Sequence, residues 1–309
     1  MTNPIFKSAT TLCVITCAAI GMCSMRAMND NKLAPGEVVA KHLASIGPAA
    51  ARANVHGTRI KGTCVMSVKL GGSGQSEGQA LMASQGSRNL IKLAFDSENS
   101  TWFKFDGSKA TVSQFRPGRR TSLEQFFAAY DVIVKEGLIG GTLSESWPLL
   151  DLQQKNPKLE YSGPKKIGGK ELHVLKYTPR RGSDLKITLF FEAETFRHVR
   201  TEYEQTIYVT DQQRIAGGNG QLPSIGSQRA TNARLSAFEE FSDFKPESGL
   251  TLPHSYKFEL SIQSETKPAL VDWVFSLTDF TFNAPFDPAE FTIGNGLSKG
   301  RSIESVGIS

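Results

Sequence analysis

The residues of this 309-residue chain that could carry out chemistry are few and lie apart from one another. The histidines occur singly, in no H-E-x-x-H motif and in no short cluster with cysteine, so their spacing predicts no metal site. They are His42, His56, His173, His198 and His254. We interpret each as a surface or interface residue. No cofactor is predicted either, because the glycine-rich stretch Gly217–Gly220 lacks the spacing and the strand–helix context of a phosphate loop.

One segment, Gly74–Gly78, formally matches the G-x-S-x-G nucleophile elbow, with Ser76 as its serine. An elbow requires a helix directly after the serine, because the strained turn between strand and helix exposes the hydroxyl. Here a strand pattern follows, and the neighbouring glycines favour a flexible turn. A hydrolase that uses Ser76 is therefore only a third hypothesis, which a Ser76→Ala variant would test.

Acidic residues form two close pairs, Glu192 with Glu194 and Glu239 with Glu240. Alternating or adjacent acids on strands are typical of a face in contact with water, so we predict no catalytic residue and a protein that is not an enzyme. The net charge of +5 is spread along the chain without a run of five basic residues, which argues against nucleic acid as a partner. The 19 phenylalanines, against six tyrosines and three tryptophans, instead favour an unusually aromatic interior.

The first 23 residues have the pattern of an export signal. Lys7 precedes an uncharged, apolar run of 14 residues, Ala9–Met22, which is too short to anchor a chain across a bilayer. We predict a signal peptide over residues 1–23, a flexible spacer over 24–34 and a periplasmic location. Cys23 either accepts a lipid, which would tether the protein to a membrane, or is removed with the signal. Only Cys64 lies in the mature part, so no internal disulfide is predicted.

The elements of the first half alternate between helix and strand patterns. Pro35–Ile46 has the spacing of a helix that stops at Gly47, and Thr58–Leu70 has the period of two of a half-buried strand. Four shorter strand-like runs follow, at residues 79–83, 89–95, 102–105 and 110–115. The apolar spacing from Leu123 to Val134, with Thr121 and Glu124 as a capping box, predicts one aromatic helix that ends at Gly137. A shorter helix is predicted over residues 147–154.

The second half consists of strands with cleaner alternation of apolar and polar residues. The apolar sets are Leu185, Ile187, Leu189 and Phe191, then Tyr256, Phe258, Leu260 and Ile262, then Val271, Trp273, Phe275 and Leu277. Such alternation is typical of an antiparallel sheet with one face against apolar material. A change of phase near Asp279 predicts a bulge, which would bend the sheet. Gln212–Thr231 is predicted to be a long flexible connection, and residues 295–309 a flexible tail.

Three segments of the second half resemble, in the same order, turns of the periplasmic outer-membrane lipoprotein-sorting proteins, the LolA/LolB-like group. They are Ile167–Leu175, Leu189–Arg197 and Gly249–His254, and Phe282–Phe286 is similar to that group's closing segment. The resemblance implies one domain over residues 35–294. It implies a mainly β fold with a few helices, in which a strongly curved antiparallel sheet, an incomplete or half-open β-barrel, wraps around one or two helices.

The same resemblance implies a hydrophobic cavity between sheet and helices that takes lipid tails, whereas composition alone favours a filled core. From alternation and aromatic content we select the residues expected to line that cavity: Phe95, Phe126, Phe127, Tyr130, Leu189, Phe191, Phe258, Trp273 and Phe275. The expected partners are acyl chains of lipids or lipoproteins, an envelope protein, and no nucleic acid, with the chain a monomer. The alternative is a non-enzymatic periplasmic sensor or interaction module that reuses the fold.

Overall fold

A computed structural model describes residues 33–96, 100–209, 231–263 and 268–292. The predicted signal peptide with Cys23, the spacer up to residue 32, residues 212–230 of the long connection and the tail 295–309 lie outside these ranges. Within the described part, no helix is both long and apolar enough to cross a membrane.

Twelve strands form a single sheet in which every neighbouring pair is antiparallel. The strands are β1 (Thr58–Leu70), β2 (Gly74–Gln85), β3 (Arg88–Ala94), β4 (Ser100–Phe105), β5 (Ala110–Val112), β6 (Lys158–Ile167), β7 (Lys170–Thr178), β8 (Lys186–Glu192), β9 (His198–Val209), β10 (Thr231–Glu247), β11 (Leu250–Gln263) and β12 (Ala269–Phe282). Their order is β5-β4-β3-β2-β1-β12-β11-β10-β9-β8-β7-β6, so the sheet is open and not closed into a barrel. The fold class predicted from the sequence is confirmed.

The helices lie before β1 and between β5 and β6. They are α1 (Pro35–Ile46), α2 (Ala49–Ala53), α3 (Ser122–Ala129), α4 (Val132–Glu136) and α5 (Leu152–Lys155), with short 3₁₀ turns at Gly141–Leu143, Pro148–Leu150 and Pro288–Glu290. Because β5 and β6 are consecutive in the chain but occupy opposite edges of the sheet, the segment between them must cross the sheet. We call residues 113–157 the crossing segment.

The predicted periodicities explain why one face of the sheet is buried. β1 and α1 have the predicted bounds, and the apolar sets of β8, β11 and β12 pack into one core with α1, α3 and α4. We call this face of the sheet the inner face. β12 has the predicted bulge, since Lys61 pairs with Asp279 while the next residue, Gly62, pairs with Leu277.

The aromatic helix differs from its prediction, because it is two helices and not one. At Tyr130 the backbone leaves the helical region, with φ −117° and ψ 54°, and α4 begins two residues later. The break allows Ile133 and Val134 of α4 to be fully buried. The capping box of Thr121 and Glu124 and the end at Gly137 are confirmed. Residues 147–154, predicted as one short helix, form a 3₁₀ turn and α5.

The chain after β12 packs on the outer face of the sheet. Phe291, fully buried, contacts Ala83 and Leu90 there, and Trp102 and Phe286 complete this small cluster. Arg59 of β1 donates two hydrogen bonds to the Glu290 carboxylate, at 2.9 and 3.0 Å. The chain after β12 therefore covers the outer face of β1 to β4, while the crossing segment covers the inner face.

Candidate functional site

Aromatic side chains from α3 and from the centre of the sheet meet on the inner face. The Phe127 ring lies 4.3 Å from Phe103 of β4 and 5.4 Å from Phe258 of β11, measured between centroids. Phe126 lies 5.9 Å from Phe258 and 5.4 Å from Tyr130. Such tilted pairs are worth about 0.5–1.5 kcal/mol each beyond the area they bury. The rings therefore form a continuous apolar surface between helix and sheet.

A small void lies beneath α3, within this aromatic surface. Its free space is ≈ 10 Å³, about the lower limit for a single water molecule. The lining is apolar: Ile91, Leu93, Phe103, Leu123, Phe127, Ile139, Tyr256, Phe258, Trp273 and Phe275. Ligand pockets usually enclose about 300–1,000 Å³, so this void would have to widen to hold a ligand of ordinary size.

The nine residues selected from the sequence fall into separate places. Four of them line the void, namely Phe127, Phe258, Trp273 and Phe275, and two more, Phe126 and Tyr130, lie beside Phe127 in the same aromatic surface. Leu189 is fully buried in the core away from the void, and Phe95 is half-buried beyond the end of β3. Phe191 lies elsewhere, 4.8 Å from the ring of His42.

Glu239 is the most unexpected polar residue of the interior, since it is fully buried on the inner face. Its carboxylate accepts hydrogen bonds from the Tyr203 hydroxyl at 2.7 Å, the Tyr256 hydroxyl at 2.8 Å and the Gly140 backbone N–H at 2.7 Å. Burial raises the pKa of Glu239 to about 7, although these hydrogen bonds act in the opposite direction. The group fixes the crossing segment at Gly140, which has a positive φ of 80°.

Two buried histidines, His42 and His198, contact Trp147 of the crossing segment. His42 of α1 donates from Nδ1 to the Phe196 carbonyl at 3.1 Å, and its Nε2 accepts from the Trp147 indole N–H at 3.2 Å. Both ring nitrogens are therefore used by the neutral form, and burial lowers the pKa of His42 to about 4. The ring of His198 stacks on Trp147 at 4.7 Å, and burial lowers its pKa well below the usual value.

These contacts correct three expectations from the sequence. His42 and His198 are core residues and not surface residues, and Glu239 faces the core while Glu240 faces water. Partners distant in sequence satisfy His42 and Glu239, which agrees with the rule that buried polar groups are paired. His198 is hydrogen-bonded through Nε2 to the nearby Thr201, and its buried Nδ1 has no hydrogen-bond partner. We call His42, Trp147, His198, Tyr203, Glu239 and Tyr256 the inner polar cluster. Its members are at most 1% exposed, so it lies away from solvent and holds the fold together.

Other candidate groups are placed as follows. Ser76 lies inside β2, opposite Met66 of β1, with strand on both sides and no helix after it, so the geometry of a nucleophile elbow is missing. Among the described residues, no group of three or more His, Cys, Asp or Glu side chains is arranged to hold a metal ion. Cys64 is a buried free thiol, and burial raises its pKa to about 12.

The two halves of the crossing segment are attached to the sheet differently. From Val134 onward it is fixed by buried hydrogen bonds: Asn89 to the Val134 carbonyl at 2.9 Å, Gly140 to Glu239, and Trp147 to His42. In contrast, the side-chain hydrogen bonds of α3 within the described chain all go to residues 113–121. Apolar contacts join α3 to the central strands, and one buried polar connection joins it to the edge of the sheet, because Ser113 donates to Glu124 and is itself hydrogen-bonded to Trp102 of β4.

Sequence reasoning did not select six of the residues that line the void. Leu123 and Tyr256 belong to apolar patterns recognised in the sequence, and Phe103 lies in a predicted strand, so they could have been included. Ile91 and Leu93 could also have been found, from the alternation of β3. Ile139 lies between Gly137 and Gly140 and belongs to no periodic pattern, so the sequence gives no signal for it.

A mainly antiparallel sheet, open at both edges and crossed on its inner face by helices, defines the architectural class of the protein. No protein-family model matches the sequence, and a search of curated proteins finds no match. Structure comparison finds a LolA superfamily protein from Nitrosomonas europaea, at 10% identity and a TM-score of 0.44, covering 84% of this chain and 98% of that one.

Two further solved structures are similar over most of the chain. A DUF1329 family protein from Desulfovibrio piger aligns at 7% identity with a TM-score of 0.39, covering 84% of this chain and 97% of that one. A domain described as that of an outer membrane lipoprotein-sorting protein, from Vibrio parahaemolyticus, aligns at 11% identity with a TM-score of 0.39, covering 84% and 97%.

Proposed function

We propose that this protein binds the acyl chains of a lipid or lipid-modified protein between the inner face of its sheet and α3, and carries them in the bacterial periplasm without catalysing a reaction. One observation carries the proposal: the face of α3 that lies over the apolar void, with Leu123 and Phe127, meets the central strands of the sheet through apolar contacts. An acyl chain can replace such contacts, because the hydrophobic effect is not directional.

The small size of the void determines how binding would proceed. A void of ≈ 10 Å³ holds no acyl chain, so α3 has to move away from Phe258 and Trp273. Moving α3 disturbs one buried set of hydrogen bonds, that of Glu124 with Ser113, Phe115 and Thr121 at the edge of the sheet. Moving the part after Val134 would leave several buried groups unpaired, at about 1–3 kcal/mol each. We therefore assign the opening to α3 and the fixed wall to the inner polar cluster.

The first test is the detection of bound lipid. Protein purified without detergent from bacterial cells should carry acyl lipid, detected by native mass spectrometry and by extraction. Wild-type protein that is consistently empty and that binds no fluorescent fatty acid would overturn the proposal. A stable protein partner in pull-downs together with empty protein would instead favour the interaction module.

A matched pair of variants tests the location. Ile91 lines the void, whereas its neighbour Leu90 contacts Phe291 on the outer face of the same strand. Ile91→Phe adds volume to the void and should weaken binding of a fluorescent fatty acid. Leu90→Phe causes a similar overpacking strain of about 1–3 kcal/mol but should leave binding unchanged. Equal affinities for the two variants would place the ligand elsewhere.

A further inference from the structure

The loop that leads into α3 combines an exposed aromatic ring with a concentration of positive charge. Phe115 is 46% exposed and is one of three exposed large hydrophobic residues in the described chain, with Leu70 and Val274. Arg116, Arg119 and Arg120 follow it within five residues, and residues 115–120 contain no acid. We call residues 115–120 the arginine loop.

The charges of Arg116 and Arg119 are available for an external partner, whereas Arg120 is half-buried, with its Nε atom buried and without a hydrogen-bond partner. Arg116 and Arg119 are exposed, and none of the three arginines forms an ion pair with an acidic residue in the described part of the chain. The Arg116 guanidinium lies over the Phe115 ring, 5.3 Å from its centroid. The apolar and the cationic parts of the loop are therefore adjacent.

The loop is also held in place from within. The buried Glu124 carboxylate accepts from the backbone N–H groups of Phe115 at 3.1 Å and Thr121 at 2.8 Å, which fixes both ends. Arg116 and Arg119 pair through their backbones at 2.8 and 3.4 Å across a turn in which Gly118 has a φ of 74°. A preorganised loop loses little entropy on binding.

We propose that the arginine loop docks the protein on a membrane surface that contains anionic phospholipid. Arginine forks bind phosphate oxygens bidentately, and aromatic rings favour the boundary between headgroups and acyl chains. The patch of one ring and three guanidinium groups is small beside the ~800 Å² that each partner contributes to a stable protein interface. Its chemistry therefore matches a lipid surface better than a protein.

The position of the loop gives this docking a role. The loop ends at Thr121, the N-cap of α3, and α3 covers the void. Contact with a bilayer would bring headgroups next to the element that we assign to opening. The docking itself does not depend on acyl binding, since the loop lies outside the void and none of its residues lines it.

The test is sedimentation of the full chain with vesicles of phosphatidylcholine, with or without phosphatidylglycerol. A lipid anchor would bind both kinds of vesicle, so the difference between them isolates the loop. Each arginine near an anionic surface should strengthen binding about fivefold, so the triple change Arg116→Gln, Arg119→Gln and Arg120→Gln should weaken it roughly a hundredfold. High salt should have the same effect on wild type.

Two controls separate the loop from general surface properties. Removing three exposed charges elsewhere, with Lys165→Gln, Lys166→Gln and Lys170→Gln at the β6–β7 turn, should change binding far less than the arginine changes. Phe115→Ser should weaken binding, whereas Val274→Ser, at a residue that is 39% exposed on β12, should not.

The proposal is overturned if wild type binds vesicles with phosphatidylglycerol no better than vesicles without it. It is also overturned if the triple lysine variant loses as much binding as the triple arginine variant. Loss of vesicle binding with retained fatty-acid binding would confirm docking as a separate property. Fatty-acid binding that fails in wild type while vesicle binding persists would instead refute only the proposed function.

Discussion

Glu239→Gln is the substitution with the most specific consequence, because it removes a proton-binding group and keeps the size and shape of the side chain. The glutamine oxygen can replace the carboxylate oxygen that now accepts from Gly140 and Tyr256, at 2.7 and 2.8 Å. The Tyr203 hydroxyl now donates to the other carboxylate oxygen at 2.7 Å, and in the variant it would have to turn and accept from the glutamine amide. The variant should therefore fold normally.

The magnitude follows from the pKa of Glu239, which burial raises from the ordinary 4.5 to about 7. A raised carboxyl pKa means that the folded state holds its proton to higher pH than the unfolded state does. The stabilisation is therefore complete below pH 4.5 and is lost as the pH rises through 7. At about 1.4 kcal/mol per pKa unit, wild type should lose roughly 2–3 kcal/mol relative to Glu239→Gln between pH 5 and pH 8.

Urea unfolding followed by tryptophan fluorescence measures this difference at several pH values. The comparison of variant with wild type is required, because the buried histidines add their own pH dependence with the opposite sign. Glu240→Gln is the control: Glu240 is exposed and lies on the other face of β10, so its stability curve should parallel that of wild type. If the free energies of unfolding of Glu239→Gln and wild type differ by the same amount at every pH, the reasoning is refuted.

Two further predictions concern the crossing segment and its anchor. Gly137→Ala should lower the free energy of unfolding by more than about 2 kcal/mol in urea, because φ is 76° there and an added Cβ would lie 2.1 Å from the Ser146 carbonyl oxygen. If Gly137→Ala leaves the free energy of unfolding unchanged, the turn at Gly137 is not tightly packed. His42→Gln should flatten the acid side of the stability curve: a pKa lowered to about 4 makes wild type lose up to about 3 kcal/mol as the pH falls from 6.5 to 4. If His42→Gln loses as much stability as wild type between pH 6.5 and pH 4 in urea unfolding, the imidazole of His42 is not the cause of that loss.

Much of the sheet could be predicted because its signals are local. The spacing of apolar residues fixes which face of β8, β11 and β12 is buried, and Gly47 ends α1 where expected. The break at Tyr130 could not be predicted in this way, because a short interruption leaves the apolar spacing of α3 and α4 nearly intact. The same spacing selects the four predicted residues that line the void, Phe127, Phe258, Trp273 and Phe275.

The inner polar cluster was missed because its causes are not local. The partners of Glu239 are Gly140, Tyr203 and Tyr256, which lie 99, 36 and 17 residues away in the sequence. The partners of His42 are Phe196 and Trp147, which lie 154 and 105 residues away. A single sequence shows an acid or a histidine but not the groups that converge on it. Such residues look like surface residues until the fold places donors and acceptors around them.

The pairing of β1 with β12 places the first and last strands side by side in the middle of the sheet. Consequently Thr58–Leu70 has no neighbour on one side until Ala269–Phe282 has been synthesised and has folded back. A growing chain would expose two unpaired strand edges and the apolar inner face for most of its synthesis, which favours aggregation. Completion of the sheet, and with it the covering of the inner face, therefore depends on β12, the last of its strands to be made.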